Sequence, residues 1–267
     1  MAGVPPPTVK LYSDDCSLLE ADGKIVELVL SDDGKSGAMV LDQTCFHPQG
    51  GGQPSDIGTI SSGGVLFQVR MVSNEDGGLV KHSGEFVLPD GELPDGELFA
   101  VGKTVHCTVD KRRRVVSTKL HSMGHLLDVA VDSLGFGERL VPGKGYHFEE
   151  SPYVEYKISP GAVISPAELE ALPTSLTAKV AELIAADIPT TVAMQTRQEA
   201  AASCPRMDLS GYPDTMRVVT LGGLGIPCGG THVKSTLDLG SGWSVGKLKK
   251  KKDTYRVPYT SSALWEG

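Results

Sequence analysis

The sequence predicts an α+β protein in two parts: a small antiparallel β-barrel over 1–108, then a mixed α+β unit over 109–267. Three observations predict it. Glycine (32) and proline (17) are abundant and spread along the chain without a collagen-like period, which marks many turns. Before residue 108 the apolar runs are short and bounded by Gly/Asp clusters, as in small barrels. At Asp110 the apolar spacing switches from alternation to steps of three and four. At roughly 150 residues per domain, 267 residues allow one large domain or two modest ones.

The elements follow in order. Ile25 to Leu30 reads as a strand, Asp32-Asp33-Gly34 as a turn, and Ala38 to Leu41 as the returning strand. Val65 to Val72 alternates, with Val65, Phe67, Val69 and Met71 predicted on one face. Asn74 to Gly78 turns the chain back into Leu79 to His82. The paired Leu-Pro-Asp-Gly-Glu segments over 88–97 read as two successive turns, and Val101 to Val109 as a further strand. From Lys111 to Leu134, apolar residues at 116, 120, 123, 127, 131 and 134 line one helix face, and Gly135 is the expected stop. Ser165-Pro166-Ala167-Glu168 is a capping box with proline at the first helical position. Pro173 predicts a kink or split in that second helix. Tyr146 to Ile158, Thr190 to Met194, Met216 to Leu221 and Trp243 to Lys250 have strand character.

Charge and composition exclude several classes. Hydrophobic residues at 40% rule out wholesale disorder, and no apolar run approaches the roughly 20 residues of a membrane-spanning helix. A net charge of −8 disfavours broad coating of nucleic acid. It leaves room for two basic runs, Lys111 to Arg114 and Lys247 to Lys252. Five cysteines without a C-x-x-C pair fit a reducing compartment. The first seven residues lack the pattern of a secretory or transit peptide, so a soluble cytoplasmic protein is expected.

Three motifs carry chemistry. His121 and His125 lie four apart on the first helix, which puts both imidazoles on one side. Ser122 occupies the position where a zincin protease needs Glu, so that reading fails. Cys228-Gly229-Gly230-Thr231-His232 places a thiol and an imidazole four apart in a turn that glycines let bend tightly. Together the two motifs supply three imidazoles and one thiolate, a set suited to tetrahedral zinc. The third motif, Leu41 to Asp56, contains Gly50-Gly51-Gly52 and matches neither a P-loop nor a dinucleotide fingerprint.

In this order, the Gly-rich loop, H-x-x-x-H and Cys-Gly-Gly-Thr-His resemble the editing domain of alanyl-tRNA synthetase and its free-standing relatives, the AlaX proteins. The likeness runs from about Val40 to His232, and less closely to a hairpin near Lys250. Cys228 to Val233 is its most specific string; Arg217-Val218-Val219 and His125-Leu126-Leu127 add to it. The Gly-rich loop matches the longer AlaX type. The resemblance implies an elongation-factor-like barrel followed by the editing core (second additional domain) shared with threonyl-tRNA synthetase. It implies hydrolysis of the ester that joins a wrong amino acid, chiefly serine, to the tRNA for alanine. One Zn2+ per chain would sit on His121, His125, Cys228 and His232. Thr44 would recognise the serine hydroxyl, with Gln53 as a second catalytic position. The synthetase kinship carries nucleotide and ATP binding with it, although no adenylation body is expected in a chain of this length. Two positions depart from the family: His47 stands where Tyr is usual, and Gln49 where an acidic residue is common.

The chemistry is coherent. An aminoacyl ester is already activated, so a positioned water and charge stabilisation suffice. A site built to bond a hydroxyl discriminates strongly against a substrate lacking it, which would separate serine from alanine. The expected partner is mischarged tRNA, with Arg112, Arg113, Arg114, Lys249, Lys250 and Lys251 as phosphate contacts and a monomer or weak homodimer as the assembly. Two rivals stand beside it: a non-catalytic tRNA-binding or synthetase-associated module with structural zinc, and a thiol hydrolase using Cys228 or Cys204.

Overall fold

The structure is a computed structural model and describes residues 5–88 and 96–265. Most of the paired turn segments, Pro89 to Asp95, lie outside the described residues, as do Met1 to Val4. By their internal contacts the residues form two compact units. One runs up to Gly50 and resumes over Pro54–Val115; the other holds Gly51–Gln53 and Val116 onward.

The first unit is built on a closed six-stranded antiparallel barrel. Its strands are β2 (Glu20–Leu30), β3 (Ser36–Leu41), β5 (Gly58–Ser62), β6 (Val65–Asn74), β7 (Val80–Val87) and β8 (Thr104–Val109), in the order β2-β3-β7-β6-β5-β8. Two short strands, β1 (Val9–Lys10) and β4 (Gln43–Thr44), pair in parallel. Closure leaves no unpaired edge, and the inward residues Ile25, Met39, Ile60, Phe67, Val69 and Val105 fill the interior. The predicted β2–β3 and β6–β7 hairpins are present. The face assignment of β6 needs one correction. Its register against β7 shifts between Val69 and Met71, so Met71 is exposed and Val72 is buried. One extra residue in a ladder reverses the alternation beyond it.

A buried ion pair anchors this unit. Arg114 is 2% exposed and spends all five N–H donors. Nη1 donates to the carbonyls of Cys16 (2.9 Å) and Leu18 (3.1 Å). Nη2 donates to Cys45 O (2.5 Å) and Asp56 Oδ2 (2.6 Å), and Nε to the same carboxylate. The expectation that Arg114 faces phosphate is therefore corrected: it is a structural residue. Arg113 is half-buried with Nε on Ser55 O, whereas Arg112 is exposed.

The long helix α1 (Lys111–Ser133) opens on Asp110, whose carboxylate accepts the N–H of Arg113 (2.7 Å) and so caps the basic first turn. It ends before Gly135, at φ +77°, as expected. In the second unit its apolar stripe, including Leu120, Met123 and Leu127, packs in one core with Leu172, Leu176 and Val180 of α2 (Pro166–Ala185). The capping box at Ser165 forms with both bonds present. Pro173 does not split α2, which runs uninterrupted through it. The lost N–H costs about 3 kcal/mol, and the buried stripe on both sides of the proline outweighs it.

Tyr146 to Ile158 is two strands, β9 (Leu140–Tyr146) and β10 (Tyr153–Ile158), rather than one. They join β14 (Trp243–Val245) and β16 (Thr254–Ser261) in the order β14-β16-β10-β9, with β15 (Lys249–Lys251) paired to β16. A second sheet, β11-β12-β13, holds Thr191–Thr196, Thr215–Leu221 and Leu224–Pro227, with the short helix α3 (Arg197–Ser203) after β11. Helix α3 was not anticipated from the sequence, whereas β15 and β16 form the hairpin expected near Lys250. Among the described residues, no helix is long and apolar enough to cross a membrane.

Candidate metal centre

α1 carries His121 and His125 one turn apart, and the turn after β13 carries Cys228 and His232. Their donor atoms all lie within 4.8 Å of one another. Cys228 Sγ stands 3.5 Å from His121 Nε2 and 3.3 Å from His232 Nε2. Two ligands at about 2.0–2.3 Å from a tetrahedral ion stand roughly 3.3–3.8 Å apart, so these spacings suit one small ion. Glycine makes the approach possible: a Cβ at Gly230 would overlap the His121 ring.

The surroundings fix which nitrogens are available. His121 Nδ1 donates to Gln53 Oε1 (2.7 Å), which leaves Nε2 with its lone pair toward the thiol. His232 Nδ1 meets Ser122 Oγ at 3.3 Å, so its Nε2 is likewise turned to the cluster. His125 Nδ1 is buried without a hydrogen-bond partner. Burial, and then the nearby His147 and Arg217, lower the His125 pKa to about 3, so its imidazole is neutral and fit to ligate. Three imidazoles and a thiol with their donor atoms converging form a zinc-type donor set, and the four residues fit such an ion.

Gln53 is a positioning residue. Its Oε1 also accepts the N–H of Thr231 (3.0 Å), and its Nε2 donates to Thr231 Oγ1 (2.9 Å). One amide thus ties the Gly-rich segment to both ligand-bearing elements. Gly52, at φ +82°, packs so closely on the Gly145 carbonyl that a Cβ could not fit.

Thr44 is fully buried in the first unit. His82 Nδ1 donates to Met39 O (3.2 Å), so its Nε2 accepts from the Thr44 hydroxyl (2.8 Å). Thr44 Oγ1 in turn accepts the N–H of Phe46 (3.0 Å). Its proton is spent, and one lone pair remains. His47 is buried against Tyr12, and its backbone N–H donates to Asp56 Oδ2 (2.6 Å). Lys249, Lys250 and Lys251 are all exposed on β15. Cys204 is buried with its thiol pKa pushed up by burial, which disfavours a nucleophilic thiolate.

A cavity of about 410 Å3 adjoins the cluster, lined among others by Gly52, His121, His125 and Cys228. Asp128 and His147 also line it, and neither was singled out from the sequence. Asp128 had a faint signal: with His121 and His125 it continues the i, i+4, i+7 stripe of one helix face. His147 had none; its place comes from the β9 end and the stacking of its ring on His121 at 4.6 Å.

Fold and site define a class: a barrel-bearing α+β protein whose second unit holds a His3Cys cluster beside a cavity. A family model described as tRNA synthetases class II (A) matches residues 12–113. Alanyl-tRNA editing protein AlaX-L of Pyrococcus horikoshii is 29% identical over 260 residues, covering 94% of this chain and 57% of that protein. Alanine–tRNA ligase of Pseudomonas fluorescens is 30% identical over 229 residues, or 83% of this chain and 24% of the ligase. The Methanosarcina acetivorans ligase is 28% identical over 243 residues, or 86% and 23%. The chain thus resembles the AlaX family and the alanyl-tRNA synthetases over most of its length, as its motifs imply. It spans little more than half of the AlaX-L relative and about a quarter of the two ligases.

Proposed function

We propose that the protein is an aminoacyl-tRNA deacylase that clears mischarged tRNA for alanine, chiefly the seryl form. The observation that carries this reading is the convergence of His121, His125, Cys228 and His232 beside a cavity large enough for an aminoacyl end. The similarity to an editing protein and to alanine ligases supports it. His121, His125, Cys228 and His232 would hold one zinc ion. When bound, zinc supplies Lewis-acid polarisation of an ester or acidification of a water. Gln53 holds His121 in its ligating tautomer, and the close-packed Gly52 backbone shapes the wall of the cavity. Thr44, with one lone pair uncommitted, is the proposed reader of the serine hydroxyl, as an acceptor. Lys249, Lys250 and Lys251, together with Arg112, are the proposed phosphate contacts. The proposed setting is the cytoplasm.

The test is deacylation of a panel of mischarged tRNAs by the purified protein, before and after chelation. Seryl-tRNA for alanine should turn over far faster than the alanyl form, and chelation should abolish turnover. Equal rates on both would remove the selectivity. A second reading, a silent tRNA-binding module, is favoured by the donor count, because four protein ligands can close a zinc shell. Stoichiometric zinc without turnover of any charged tRNA would establish that reading instead.

A further inference from the structure

Two buried acceptors in the cavity have no partner in the protein. Asp128 is 7% exposed; Tyr156 donates its hydroxyl to Oδ1 (2.5 Å), and Oδ2 has no hydrogen bond. Asp128 is not one of the four clustered donors, and it does not orient His125, whose Nδ1 is unpartnered. A carboxylate nine-tenths buried with one free oxygen is costly unless a donor arrives to meet it. Burial raises its pKa to about 7 against the pull of the Tyr156 hydrogen bond, so a cationic donor beside it would hold the ionised form at neutral pH.

The second acceptor is His147, 4% exposed. The Tyr259 hydroxyl donates to the Leu120 carbonyl (2.9 Å), so its oxygen must accept from His147 Nδ1 (2.6 Å). The ring proton therefore sits on Nδ1, and Nε2 keeps a lone pair with no protein donor. Gly124 and Gly145 make room for this ring, since a Cβ at either position would overlap it. Both residues line the one cavity, each held by a tyrosine, and both offer an acceptor to a group rich in N–H donors.

We propose that Asp128 Oδ2 and His147 Nε2 bind the α-amino group of the aminoacyl moiety, so that the site selects esters of free amino acids. This rests on the deacylase reading, and the test separates the two. The probes are 3′-amino-3′-deoxyadenosine carrying a seryl amide, and the same compound with the α-amine replaced by a hydroxyl of equal size. Calorimetric binding to the zinc-loaded protein should favour the amine by about tenfold to a hundredfold, the worth of a hydrogen bond to a charged group. Asp128→Asn, which keeps an oxygen for Tyr156, should reduce that preference to a few-fold while circular dichroism stays unchanged. Tyr156→Phe, which frees the carboxylate to rotate, should reduce it less. Equal affinity of the wild type for both probes, or binding of neither, would overturn the proposal. So would an undiminished preference in the folded Asp128→Asn protein. Turnover of seryl-tRNA without amine preference would remove this inference alone. Amine preference without turnover would remove the hydrolytic reading alone.

Discussion

Two buried polar clusters, one in each unit, treat their hydrogen-bonding groups in opposite ways. In the barrel unit, Arg114 spends every donor on Asp56 and three carbonyls, and His82 is bonded through both ring nitrogens, to Met39 O and Thr44 Oγ1. In the second unit, His125 Nδ1 is buried without a partner, and Asp128 and His147, both buried residues, each use one acceptor or donor on a tyrosine and leave the other side-chain atom to the cavity. A satisfied buried network repays its own desolvation and serves structure, whereas an unsatisfied one requires something from outside.

That contrast can be broken at several points. The largest effect belongs to the cluster itself. Cys228→Ser and His232→Ala should each drop metal content from one equivalent toward none and deacylation by more than about a hundredfold, beyond what loss of a supporting residue costs. Atomic emission on the purified variants checks this, and stoichiometric metal in both would refute the centre. Arg114→Met strands a buried carboxylate and should cost about 3–5 kcal/mol, read by urea unfolding. A loss below about 1 kcal/mol would mean the pair is not the anchor described here.

His82 gives the barrel a pH signature. Burial holds its folded pKa at about 4, below an unfolded value near 6.5. The unfolded chain therefore takes up the proton first as pH falls. The stabilisation is whole above about pH 6.5 and is lost through about pH 4, amounting to roughly 3 kcal/mol. His82→Gln should flatten that part of the stability profile; an identical slope would show that other groups carry it. A smaller effect is expected at Gln53→Ala, which should weaken metal binding by about tenfold to a hundredfold without abolishing it, measured by chelator competition. Least is expected at Ser165→Ala, where loss of the capping box should cost about 1 kcal/mol in thermal denaturation and leave metal content unchanged.

Much of the site was legible locally. The i, i+4 histidines fall on one helix face because the helical repeat demands it, and the glycines around Cys228 announce a tight turn. The β2–β3 and β6–β7 hairpins followed from turn residues between alternating runs. What escaped were features decided by distant partners. Met71 faces out because a bulge shifts the ladder, and Pro173 is tolerated because α2 is held by its buried stripe. Arg114 belongs to a basic run in sequence but is buried by contacts 58 to 98 residues away.

By itself the sequence determined the elements, their order and the donor types, since backbone dihedral preference and apolar period act over a few residues. Only the tertiary structure decided which polar atoms are spent. Whether His147 Nε2 keeps its lone pair depends on a tyrosine 112 residues later and on the helix carbonyl that tyrosine meets. Hydrogen-bond satisfaction is a property of neighbours in space, and no local pattern records it.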